Sequence, residues 1–89
     1  MGTLNPKQVA VSLGLLAAAM HLIWSVMVAL GFGQAWINWI IGLHFVSATV
    51  TVMPFNAVTA IILLVVTFVL GSIVGFVFAT AWNWTGKKL

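Results

Sequence analysis

From Gln8 to Gly86 the chain contains no Asp, Glu, Lys or Arg. That unbroken absence of fixed charge constrains the fold more than any motif does. A water-soluble domain carries charge on roughly a quarter of its residues, whereas here charged residues make up 3% and apolar residues 64%. Lipid is therefore the expected solvent for most of the surface. The only fixed charges, Lys7, Lys87 and Lys88, lie at the two ends.

Within the uncharged region the chain divides into two long apolar runs with a shorter, more polar stretch between them. Asn5-Pro6-Lys7-Gln8 opens the first. Asn5 can cap a helix, Pro6 suits the first helical position because its missing N–H has no partner there, and Gln8 stands where a capping-box partner belongs. The apolar residues Val9 to Leu30 then supply about 22 residues, roughly 33 Å of helix, enough to cross a hydrocarbon core. A secretory signal is the rival reading, with Ala17-Ala18-Ala19 as the cleavage site. The apolar run continues well past that point, so a span over about 6–30 is expected instead.

Gly31-Phe32-Gly33 predicts a turn. Residues 34–45, with Trp36 and Trp39, are too few to span. They put Gln34, Asn38 and Gly42 on one side and Trp36, Ile40 and Leu43 on the other, which predicts a short interfacial helix with indoles at headgroup depth. In Val46 to Met53, Val46, Ala48, Val50 and Val52 alternate with Ser47, Thr49 and Thr51, a period of two in β-branched residues. An isolated strand is unstable, so residues 46–56 form either an extended connector or a strand paired with a neighbouring copy. Pro54-Phe55-Asn56 leads into the second run, with Asn56 as cap, and the span 57–82 provides about 26 residues or roughly 39 Å.

The whole chain, 1–89, thus reads as one all-α membrane domain: a two-transmembrane-helix hairpin with an interfacial helix and an extended connector. Trp36, Trp39, Trp82 and Trp84 are expected interface anchors, with Lys87 and Lys88 in the headgroups. Lysines before the first span and after the second, with none between, put both termini in the cytoplasm by the positive-inside rule. The expected location is the inner (plasma) membrane of a prokaryote.

Several chemistries are excluded by residue type. Without cysteine there are no disulfides or thiolate metal sites, and without Asp or Glu there is no paired-carboxylate catalysis. His21 and His44 alone do not make a metal centre. No catalytic, cofactor-binding or metal-ligating residues are expected, so the chain is not read as an enzyme. Its net charge of +3, confined to the ends, is a topology signal and lipid-headgroup contact, with no nucleic-acid footprint.

The second run carries Thr67, Gly71, Gly75 and Ala79 at four-residue steps, with Gly71 and Gly75 forming G-x-x-x-G. Such a row lets two helix backbones approach closely where lipid offers no hydrophobic drive. Plain helix packing is the simpler reading and a pore lining the sharper one. On the first run Ala10, Gly14, Ala17, Ala18, His21 and Ser25 share an arc of roughly 100°, so the simplest hairpin packs one small face on the other. His21 is the single ionisable side chain well inside a span, a functional candidate by default. It is expected either to hydrogen-bond Ser25 or a partner-helix carbonyl, or to line a pore. Asn83-Trp84-Thr85 matches a glycosylation acceptor but falls at the cytoplasmic end, against that use.

Short Gly-rich hairpins are similar to the rotor-ring subunit of ATP synthases, but that family needs a carboxylate in its second helix and a polar loop. Small multidrug transporters need the same missing carboxylate, and mercury carriers need cysteine. Through Asn5-Pro6-Lys7-Gln8, His21-Leu22-Ile23-Trp24 and Pro54-Phe55-Asn56 the chain resembles small uncharacterised two-helix membrane proteins of prokaryotic genomes. The resemblance covers most of the chain and implies no activity.

Two functions remain open. One is a homo-oligomer, cyclic, forming a pore or channel-like assembly with Gly14, Ala18, His21 and Ser25 towards its axis. The other is a non-conducting structural or accessory protein that binds lipid or a larger membrane partner. A membrane-disrupting toxin is a third reading, disfavoured by the lack of a basic amphipathic helix.

Overall fold

A computed structural model describes residues 2–89 as three helices, α1 (Pro6–Ala29), α2 (Gly33–Leu43) and α3 (Ala57–Lys88). Each boundary has a local cause. The Asn5 side chain accepts from the Lys7 N–H at 3.0 Å and the Gln8 N–H at 3.3 Å, and Pro6 takes the first helical position. Among the described residues Gln8 makes no return bond to Asn5, so this cap is one-sided. The first helix stops at Gly31, whose φ of +88° is the left-handed conformation that costs glycine little. The Gly31 N–H donates to the Val28 carbonyl and the Phe32 N–H to the Met27 carbonyl, the two bonds of a Schellman cap.

The turn is shorter than Gly31-Phe32-Gly33 predicts. Gly33 is already helical, because a Cβ there would lie 2.9 Å from a Val28 methyl and only glycine lets the chain fold back so tightly. α2 ends in the same kind of cap, with Phe45 N–H on the Gly42 carbonyl and Val46 N–H on the Ile41 carbonyl. Here the left-handed position is occupied by Phe45, at φ +60°. A bulky residue pays for that conformation with about 1–2 kcal/mol.

Residues 46–56 carry neither helix nor strand, and the described residues hold no second strand for them to pair with. Asn56 then caps α3, accepting from the Thr59 N–H at 3.2 Å. The helix runs on past Trp82 to Lys88. No proline or left-handed residue interrupts it, the Leu89 N–H still reaches the Thr85 carbonyl, and Lys87 and Lys88 complement the negative end of the helix dipole.

α1 and α3 pack antiparallel along their length, while α2 touches α1 only lightly. The Cα envelope measures 47 × 32 × 14 Å, a slab one helix layer thick. Nothing covers its broad faces, so Leu15, Leu16, Ile23, Ile61, Val65, Ile73 and Val77 are all exposed. Both long helices are apolar and long enough to cross a membrane, and only 11% of the most apolar stretch of α1 and 6% of that of α3 is buried. A core helix of a soluble protein would be mostly buried, so these outward apolar faces suit lipid.

Candidate functional site

The seam between α1 and α3 is made by the absence of side chains. A Cβ at Gly71 would lie 2.7 Å from the Leu13 carbonyl oxygen and 3.0 Å from the Gly14 Cα. One at Gly75 would lie 2.7 Å from the Val9 carbonyl oxygen and 2.9 Å from the Ala10 Cα. One at Gly14 would meet the Phe68 carbonyl oxygen at 2.8 Å and collide with the Ser72 hydroxyl. The obstacles are mostly backbone, so they cannot swing aside. Thr67 and Ala79 are buried on the same line and Ala18 is half-buried on the facing one.

Of the polar side chains on the inner faces of the two long helices, His21, Ser25 and Thr67 bond within their own helices and Ser72 does not. His21 Nδ1 lies 2.7 Å from the Ala17 carbonyl oxygen; a carbonyl only accepts, so this nitrogen donates. The Ser25 hydroxyl donates to the His21 backbone carbonyl at 2.9 Å, not to the imidazole. The imidazole is therefore tied to its own helix, where the sequence pointed to Ser25 or to the facing helix. Thr67 donates to the Leu63 carbonyl at 2.8 Å, with the Leu64 carbonyl at 3.2 Å. Back-bonding of this kind hides a hydroxyl from an apolar surrounding without a second helix. The Ser72 hydroxyl, buried against Gly14, has no hydrogen-bond partner.

Four of the tryptophans divide between the two ends of the slab. Trp36 and Trp39 lie on exposed positions of α2 with ring centroids 5.3 Å apart. At the other end Trp82 stacks at 6.1 Å on Phe78 and its indole N–H reaches the Gly2 carbonyl at 3.3 Å, while Trp84 is exposed near Lys87 and Lys88.

Two carboxamides that sequence reasoning did not single out tie the chain together. The Asn83 side chain accepts from the Leu4 N–H and donates to the Leu4 carbonyl, both at 2.8 Å, so it pairs with that residue as an antiparallel strand would. At the opposite end Gln34 donates to the Val50 carbonyl and accepts from the Val52 N–H, both at 2.7 Å. One amide spanning the groups on either side of Thr51 is the pattern of a parallel ladder. Gln34 also donates to Asn38 at 3.0 Å, one turn along α2. The available signal was scarcity: in a segment without charge, each long amide needs a partner, and unpaired backbone nearby is the natural one.

Tethering the connector to α2 leaves a groove of about 620 Å³ between them and the hairpin, with Trp24, Ser25, Val28, Ile37, Val52 and Ala60 among its walls. Ser25, 7% exposed, lines it, and no charged side chain does. His21 and His44 are not joined by further ligands; among the described residues no group of three His, Cys, Asp or Glu could hold a metal ion. No family model matches this chain, and no curated protein or solved structure matches it.

Proposed function

We propose that the protein is an integral membrane hairpin with both termini in the cytoplasm, acting as a non-conducting structural or accessory protein that associates laterally with copies of itself or a larger membrane protein. One observation carries this reading: the outward faces of the two long helices carry almost no polar side chains. On the outward positions from Val9 to Ala29 and from Ala57 to Trp82, only Ser12, Thr59 and Thr80 are polar. Thr80 is further spent on the Phe76 carbonyl. A ring of such hairpins would present no continuous polar row to replace the hydration of a passing ion. The broad Leu, Val and Phe flanks favour packing against helices or lipid chains.

The orientation is supported by Lys7. It sits in the first turn of α1, where a cation opposes the helix dipole, so helix stability does not account for it. Retention of positive charge on the cytoplasmic side does. Trp36 and Trp39 on α2 then mark the opposite interface.

Reconstitution of the pure protein in liposomes tests the role. Ion and proton flux at the level of empty vesicles is expected, for wild type and for His21→Leu alike. Flux that His21→Leu removes would establish the channel reading instead. Reporter fusions test the orientation: both ends should report cytoplasm, and a reporter inserted after Phe45 should report the far side.

A further inference from the structure

We propose that the groove between Trp24 and the tethered connector is a binding site for one neutral, lipid-like amphiphile. Three independent features meet there. First, the volume of about 620 Å³ falls in the range of small-molecule sites, roughly 300–1,000 Å³. Second, its outer wall is a built structure: Gln34 holds the backbone on both sides of Thr51 with two 2.7 Å bonds, so the connector does not collapse onto α1 and α3. Third, the lining selects by chemistry. Val28, Ile37, Val52 and Ala60 offer an apolar body, and no charge is available to neutralise a phosphate or a carboxylate.

The polar groups in the groove are unspent in a particular way. The Trp24 indole N–H and the Thr51 and Thr59 hydroxyls have no hydrogen-bond partner among the described residues, and Ser25, which donates to His21, keeps its oxygen lone pairs. The indole only donates, the two threonine hydroxyls donate or accept, and Ser25 accepts, so the groove offers both kinds of partner. They suit a ligand with carbonyl or ester oxygen at one end and a hydrocarbon chain at the other, such as an acylglycerol. Charge complementarity excludes the anionic phospholipids that Lys7, Lys87 and Lys88 would attract at the far end of the slab.

This inference rests on the membrane placement and is independent of the non-conducting role, so the flux assay and the following titration fail separately. Purified protein in uncharged detergent is titrated with a monoacylglycerol whose chain is dibrominated, and tryptophan emission is followed. The expected result is saturable quenching that is missing from Trp24→Phe. Filling the groove with Ala60→Phe should weaken binding by about tenfold or more. Val52→Phe, on the connector and away from the helix seam, should do the same, and circular dichroism checks that both variants keep the helices. A brominated phosphatidylglycerol should not saturate. Quenching that rises linearly, that persists in Trp24→Phe, or that neither filling variant alters would overturn the site. So would a change of oligomer size in Ala60→Phe and Val52→Phe without loss of quenching, which would assign the groove to a second copy of the chain.

Discussion

The two ends of this slab are held by opposite devices. Along α1 and α3, contact depends on what glycine lacks: Gly14, Gly71 and Gly75 bring backbone to within van der Waals reach of backbone. Around α2 and the connector, contact depends on what glutamine has, a carboxamide able to stand in for a peptide group at Val50 and Val52. The first device gives a close-packed seam. The second props a segment away from the helices and leaves a groove. In lipid, where apolar surface gains little by being buried against another helix, close packing and hydrogen bonding are the two means available; here the first runs along the seam, and the second holds the connector and, at the far end, Leu4 on Asn83.

The comparison breaks most readily in the seam. Gly75→Leu should separate α1 from α3, because its side chain would enter the space of the Val9 and Ala10 backbone. A loss of about 3 kcal/mol or more is expected from overpacking against atoms that cannot rotate away, read as a lowered thermal midpoint of helix separation in detergent. Gln34→Ala should act at the other end alone. Removal of its two bonds leaves backbone groups unpaired at a cost of about 1–3 kcal/mol. Faster amide exchange at Val52, with exchange in the α1–α3 seam unchanged, is the expected signature. If the seam loosened too, the two regions would not be separate.

Smaller effects sharpen the contrast. Phe45 is fully exposed and left-handed, so Phe45→Gly should relieve backbone strain by about 1 kcal/mol and protect the end of α2 from amide exchange. Gly42, unlike Gly71 and Gly75, has nothing within 4 Å of a Cβ position. Gly42→Ala should therefore stabilise α2 by up to about 1 kcal/mol through helix propensity alone. A rise in helical circular dichroism checks it, and a fall would mean that this face of α2 is covered. A side chain added to glycine is thus expected to have opposite signs at Gly75 and at Gly42.

Much of the hairpin was legible because its causes are local. Asn5, Pro6 and Asn56 announce helix starts through groups within three residues of themselves, and Gly31 announces a stop through its own φ. The row Thr67, Gly71, Gly75, Ala79 is visible because a four-residue step is nearly one helical turn. The extension of α3 to Lys88 was less visible, since Gly86 looks like a terminator and breaks nothing where no left-handed turn is required. Alternation from Val46 to Met53 left both an extended connector and a strand paired with a neighbouring copy open, because a ladder needs a second edge and no periodicity within one segment can supply it. His21 stands out in the sequence as the one ionisable group well inside an apolar run. Which acceptor it uses depends on rotamer and helix register, and these put the Ala17 carbonyl nearest.

What the sequence determined by itself was segmentation and the apolar character of the surface: a chain without fixed charge from Gln8 to Gly86 has little but apolar side chains to turn outward, and its caps say where the helices begin. Tertiary structure alone decided which backbone each carboxamide meets. Asn83 and Leu4 are distant in the chain, as are Gln34 and Val52, and a side-chain amide fits any exposed peptide equally well. Only the antiparallel register of α1 on α3, set by three glycines, brings Leu4 to Asn83. The fold-back at Gly33 brings α2, with Gln34 in its first turn, close against the end of α1.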